Sequence, residues 1–286
     1  MKWLVTGAGG VLGRAVLEVL AGPEGRGDHA LGLDRSALDI TDGTAVRTAV
    51  HRHRPDVVVN CAAYTAVDRA EAEETAAARA NGDGPRLLAE ACAESGARLC
   101  QVSTDYVFSG TGRVPYREDD LPAPGTAYGR TKLLGERAVL DLLPTTGAVL
   151  RTAWLYGVRG RSFVATMRDR AARGEAAWVV DDQYGQPSFA GDVAARIVAL
   201  GRITDAHGVY HGTNSGVTTW FDLAREVYRL AGADPGMVRP IPTAALSGPV
   251  DRPAWTVLGH DRFAPIGLAP LRPWWRALRA AWHRLS

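Results

Sequence analysis

A doubly wound parallel α/β sheet with a smaller C-terminal cap is the fold class this sequence predicts. Short apolar runs alternate with longer stretches of helix-period apolar spacing through the first half of the chain. A glycine-rich turn joins the first of those runs to the first helical stretch. With 286 residues, 46% of them hydrophobic, the chain can bury a large core and carry a second, smaller unit.

In order, the spacing predicts strands over 3–6, 30–33, 57–60, 99–102 and 148–151. Between them it predicts helices over 11–20, 44–54, 68–79 with 85–95, and 128–142. Strand-crossover-strand units of this kind close right-handed and bind ligands at the carboxyl ends of their strands. After residue 151 the rhythm degrades into a helix over 162–173, a strand over 178–180 and a helix over 193–200. A segment dense in proline and glycine, 234–253, is expected to wrap the surface before a last amphipathic run over 274–282. The expected division is a main domain of 1–153 with a re-entrant segment 176–212, and a cap of 154–175 and 213–286. Trp274 and Trp275 read as packing in that cap.

Composition excludes several classes of function. The net charge of +2 comes from scattered arginines with acidic residues between them, which argues against nucleic acid. No apolar run approaches a membrane span, and the N-terminus runs straight into a strand-like segment, so neither an anchor nor a signal peptide is expected. Cys61, Cys92 and Cys100 are irregularly spaced, as in a reduced, cytoplasmic protein. His51 and His53, two apart on a predicted helix, point to different faces and read as surface; no metal site is expected. Glu71, Glu73 and Glu74 read as an exposed helix face.

Two constellations carry chemistry. Gly7, Gly10 and Gly13 lie between the first strand and the first helix: Gly7 permits a tight turn, Gly10 lets the backbone approach a pyrophosphate, and Gly13 lets helix pack on strand. Asp34 ends the second strand where a carboxylate can hold an adenosine ribose hydroxyl, and Arg35 beside it could instead hold a 2′-phosphate, leaving NADH and NADPH open. Asp39 and Ile40 could reach the adenine, and Ala62, Ala63, Tyr64 and Thr65 are placed beside the cofactor after the third strand. The second constellation is Tyr128 and Lys132, one helical turn apart, Lys132 being one of only two lysines in the chain. A cation ~4 Å from a phenol at an effective dielectric of ~20 favours phenolate by up to ~4 kcal/mol, at most ~3 pKa units. Thr104, leaving the fourth strand, can join them above the nicotinamide end of the cofactor. A hydroxyl, a phenol and an ammonium so placed suit reduction of a ketone, with Tyr128 giving the proton and Thr104 hydrogen-bonding the oxygen.

These motifs resemble an extended short-chain dehydrogenase/reductase, whose fold is Rossmann-like. The stretches 60–68, 103–108, 151–154 and 182–187, followed by Tyr210-His211, Thr219-Trp220 and Arg252-Pro253, resemble the dTDP-4-dehydrorhamnose reductase family more narrowly, over nearly the whole chain. The resemblance implies Thr104, Tyr128 and Lys132 as the catalytic set, with Asp105 and Trp154 on the sugar side; Tyr106 joins the expected substrate contacts, and Arg252 reads as a diphosphate partner in the cap or as a surface ion pair. It implies cofactor contacts at Gly10, Val11, Leu12, Asp34, Asp39, Ile40 and Ala63 to Thr65. The implied cofactor is NADPH, with NADH possible, and the implied substrate is a dTDP-4-keto-6-deoxyhexose. Sugar-nucleotide 4,6-dehydratases of this superfamily carry Asp-Glu after the Thr; here the pair is Asp105-Tyr106, which favours simple reduction. Some relatives form magnesium-bridged dimers through two glutamates, but those places hold Ala15 and Gly191, so a monomer or weak homodimer without metal is expected. Two alternatives stay open: another dTDP-4-keto sugar reductase, such as a dTDP-dihydrostreptose synthase, and a non-catalytic cofactor-binding regulatory subunit.

Overall fold

The computed structural model describes residues 1–25, 27–246, 248 and 250–285. Arg26 in the expected main domain, and Ser247, Pro249 and Ser286 in the expected cap, lie outside the described residues.

The first half alternates strand and helix as expected: β1 (Lys2–Thr6), α1 (Val11–Ala21), β2 (His29–Leu33), α2 (Gly43–His53) and β3 (Val57–Asn60). There follow α3 (Val67–Ala70), α4 (Glu74–Ala78), a π-helical turn (Arg79–Asp83), α5 (Gly84–Ser95), β4 (Arg98–Thr104), α6 (Ala127–Leu142) and β5 (Gly147–Thr152). Alternate strand residues serve opposite faces, because successive side chains point to opposite sides of a sheet. Trp3, Val5, Val57, Val59 and Leu150 join the core under α1, whereas Leu4, Val58, Leu99 and Val149 join the core under α2, α5 and α6. Strands covered on both faces read as unbroken apolar runs, which is why the sequence betrays them.

The second half runs β6 (Leu155–Tyr156), α7 (Phe163–Ala172), β7 (Ala177–Val180), β8 (Tyr184–Gly185), β9 (Ser188–Phe189), α8 (Ala190–Arg202) and β10 (Gly208–His211). It ends in β11 (Asn214–Ser215), β12 (Thr218–Thr219), α9 (Trp220–Leu230), β13 (Val238–Ile241), β14 (Leu271–Pro273) and α10 (Trp274–Ala281). The main sheet is six-stranded and parallel, in the order β10-β5-β4-β3-β1-β2. The chain leaves β1 toward β2 and returns to β3 on the other side, and a reversal of strand order of this kind places the ligand crevice at the carboxyl ends.

Of the segment expected to re-enter the main domain, α8 packs on α1 and β10 extends the sheet, but β7 does not join it. Instead β7 pairs in parallel with β13, inside the segment expected to be only a surface wrap. Both strands, with α7, α9 and α10, enclose a separate core around Met167, Val179, Leu223, Val227, Tyr228 and Trp274. Packing is therefore the role of Trp274, which is buried; Trp275 is 38% exposed and packs edge-on to it.

Candidate active site

One cavity of about 1310 Å³ runs along the carboxyl ends of β1 to β5. Its head is the first turn of α1. Gly10 caps that helix with no side-chain hydrogen bond, so first-turn backbone N–H groups beside Val11 and Leu12 face the cavity with no side-chain acceptor. Gly7 makes the turn at φ +65°, and a Cβ there would stand 2.5 Å from the Ala62 backbone nitrogen. Only glycine fits. This uncapped turn, pressed against the loop after β3, fits a dinucleotide pyrophosphate.

Asp34 lines the same cavity with its Oδ1 already accepting from the Ser36 N–H at 3.0 Å, the Ser36 hydroxyl at 2.6 Å and the Ala37 N–H at 3.1 Å. The Ser36 hydroxyl above all holds that carboxyl below the usual range. Asp39 is tied in the same manner to the backbone and hydroxyl of Thr41. Arg35, Ile40 and Ala62 to Thr65 also line the cavity. Gly13 does not; a Cβ there would meet the Gly7 carbonyl at 2.4 Å, so it packs the helix against the glycine turn and not against β1 itself.

A buried polar row underlies this floor. The Thr6 hydroxyl donates to Asn60 Oδ1 at 2.6 Å, Asn60 Nδ2 donates to Gln101 Oε1 at 2.7 Å, and Gln101 Nε2 donates to the Val102 carbonyl at 2.8 Å. The Lys132 Nζ donates to that same carbonyl at 2.6 Å. Asn81, in the π-helical turn, clamps the Tyr64 backbone through both its N–H and its carbonyl and also donates to the Thr131 hydroxyl. Such turns inside helices often sit at functional sites. Apart from the bond between the neighbours Gln101 and Val102, these contacts join residues 17 to 54 apart, and spacing alone gives no sign of them.

Thr104, Asp105, Tyr106, Tyr128, Lys132 and Trp154 line the far end together. The Thr104 hydroxyl donates to Asp105 Oδ1 at 2.9 Å. The phenol's acidity departs from expectation: burial pushes it up to about 12, against the neighbouring Thr104 hydroxyl and assisted by the nearby Asp105 charge. Desolvation outweighs the cation because the Lys132 ammonium is directed at the Val102 carbonyl. Lys132 itself is pushed down to about 8 by burial, with Glu136 and Cys61 opposing. A phenol that keeps its proton at neutral pH is set to donate.

Trp154 sits at φ +45°, a left-handed conformation that costs a bulky residue of order 1–3 kcal/mol. Its ring stacks on Trp220 with centroids 3.5 Å apart, and lies where a Cβ on Gly185 would intrude to 2.4 Å. Trp220 and Tyr106 form a wall shared with a second cavity of about 550 Å³, lined also by Phe163, Arg170, Trp178 and Arg252. Arg252 therefore lies outside the first cavity; its guanidinium pairs with Asp68 at 2.8 Å. The glutamates read as a bare helix face are engaged. Glu71 accepts from the Ala127 N–H at the start of α6 at 2.8 Å, Glu73 accepts from the Tyr64 hydroxyl, and Glu74 pairs with Arg130.

A parallel sheet with an anion-ready helix terminus and a Tyr-Lys pair at its carboxyl edge defines a nicotinamide-dependent oxidoreductase of the short-chain dehydrogenase/reductase type. The family model described as the RmlD substrate binding domain matches residues 1–286. The chain belongs to the dTDP-4-dehydrorhamnose reductase family. It is 56% identical over 282 residues, 98% of this chain and 94% of the relative, to a probable dTDP-4,6-dihydroxy-2-methyloxan-3-one 4-ketoreductase of Streptomyces antibioticus. It is 53% identical to the dTDP-4-dehydrorhamnose reductase of Streptomyces griseus, over 99% of this chain and 94% of the relative. The crystal structure of dTDP-4-dehydrorhamnose reductase from Bacillus anthracis in complex with NADP superposes with a TM-score of 0.94 at 33% identity, covering 99% of this chain and 98% of that one.

Proposed function

We propose that this protein reduces the 4-keto group of a dTDP-4-keto-6-deoxyhexose with NADPH, or with NADH, in the cytoplasm, as a monomer or weak homodimer. The observation that carries this reading is the placement of Thr104, Tyr128 and Lys132 at one end of a cavity whose other end is the uncapped turn of α1. Gly10, Val11 and Leu12 would hold the pyrophosphate, Asp34 or Arg35 the adenosine ribose, and Lys132 the nicotinamide ribose. When bound, the cofactor supplies the hydride. Tyr128 gives its proton to the developing alkoxide, and Thr104 donates a hydrogen bond to that oxygen. Trp154 and Tyr106 flank the sugar.

The second cavity would take the nucleoside diphosphate, with Arg252 as its cation. That guanidinium is easily drawn from Asp68, since an exposed pair of this kind is worth about 0–1 kcal/mol. Arg252→Met is expected to raise KM for the nucleotide sugar by roughly ten- to a hundredfold, leaving the Kd for NADPH unchanged; steady-state kinetics with a cofactor titration checks it. The function as a whole is tested by following NADPH and NADH absorbance in parallel with dTDP-4-keto-6-deoxyhexoses. Cofactor oxidation with product at C4 is the expected result, and cofactor binding with no turnover of any such sugar would favour a regulatory subunit. Names borne by the relatives favour a second choice of sugar within this class, a ring bearing fewer hydroxyls, so both deoxygenated and fully hydroxylated rings belong in that panel.

A further inference from the structure

Thr104 has one proton, and the structure commits it. Its hydroxyl donates to Asp105 Oδ1 at 2.9 Å and accepts from the Tyr106 N–H at 3.2 Å. A hydroxyl offers one donor and two acceptor positions. With Asp105 ionised that single proton is given to Oδ1, so Thr104 has none for a substrate. The donor then faces away from the reacting oxygen.

We propose that Asp105 is a positioning residue whose neutral form turns the Thr104 donor toward the substrate carbonyl. As a neutral acid Asp105 donates to Thr104, reversing the 2.9 Å bond, and Thr104 then donates into the cavity. The proposal rests on the ketone reduction set out above. No atoms are added to that reaction: hydride goes to carbon, the Tyr128 proton goes to oxygen, and solvent reprotonates the phenolate after product leaves.

The surroundings favour the neutral acid. Asp105 is 2% exposed, and its Oδ2 is buried with no hydrogen-bond partner, a costly position for a carboxylate oxygen. Burial pushes the carboxyl up to about 6, opposed by Thr256, Thr104 and nearby backbone N–H groups. The groups facing it are Thr104 at the end of β4, the Tyr106 phenol on the turn after it, and Tyr128 and Lys132 on α6. From the cap side come Thr256 and, beyond Tyr106, Arg252 with Asp68. Of these, Lys132 also titrates near the working range, at about 8.

The test is the pH profile of kcat/KM from pH about 5 to about 9, for the wild type and Asp105→Asn, with cofactor affinity measured alongside. In the wild type, kcat/KM is expected to fall by up to about tenfold per pH unit as Asp105 ionises, below the range of Lys132. Asn is uncharged and can face Thr104 with an N–H, so the variant loses that fall and keeps only the change due to Lys132. A wild type that turns over with no such fall overturns the proposal, as does an Asn variant that keeps it. An Asn variant that binds NADPH but is inactive at every pH overturns it too. Should Asp105→Asn fail to fold or bind cofactor, Thr104→Val decides: slower turnover without the fall supports the proposal, and persistence of the fall sinks it. A wild type that turns over no keto sugar at any pH would instead refute the reductase reading itself.

Discussion

Tyr128→Phe is expected to lower kcat by roughly two to four orders of magnitude while leaving the Kd for NADPH within about twofold. The Tyr128 phenol lines the reactive end of the cavity and holds its proton across the neutral range. Phenylalanine preserves the edge-on contact with Tyr106, whose ring centroid lies 5.7 Å away, so the helix and its neighbours should not shift. Stopped-flow single turnovers would place the loss in the chemical step. An unchanged rate would mean that another group supplies the proton.

The largest effect on stability is expected at a site that touches no ligand. Arg151 and Glu136 form a bidentate pair with contacts of 2.7 to 3.2 Å, both side chains 3% exposed or less, and the guanidinium also lies 4.9 Å from the Phe108 ring centre. Removing one partner strands the other's charge in the core. Arg151→Met should therefore lower unfolding free energy by about 3–5 kcal/mol, and the double variant Arg151→Met with Glu136→Leu should recover most of it, because desolvating the pair offsets much of its attraction. Urea denaturation of the two variants checks this; a double variant no better than the single would show that shape, not charge, sets the cost. His211, beside Arg151 and held through Nδ1 to the Gly259 carbonyl, is kept neutral by burial and by that same guanidinium, in keeping with a structural histidine.

Local period and local chemistry made much of this legible. The five strands of the first half, the glycine turn and the Tyr128 helix each announce themselves within a few residues. What escaped depends on partners far along the chain. The β7–β13 pairing and the helix over Trp220–Leu230 gain their core from one another and from α7, α10, Tyr156 and Phe189. The direction of the Tyr128 shift turned on burial, which the four-residue spacing to Lys132 does not encode. Likewise, Asn81 looks like any polar helix residue until the π-helical turn brings it under Tyr64.

Glu71 gives the reactive helix its starting point: the first backbone donor of α6 is held by a side chain 56 residues upstream, in the loop between α3 and α4. With the Thr126 hydroxyl accepting from the Gly129 N–H, that carboxylate fixes the end of the helix from which Tyr128 and Lys132 project. Disturbance of the thin ridge over residues 67–78 would thus surface as misaimed chemistry in a chain that still melts normally, and its sun-side carboxylates have less freedom to drift than their outward position suggests.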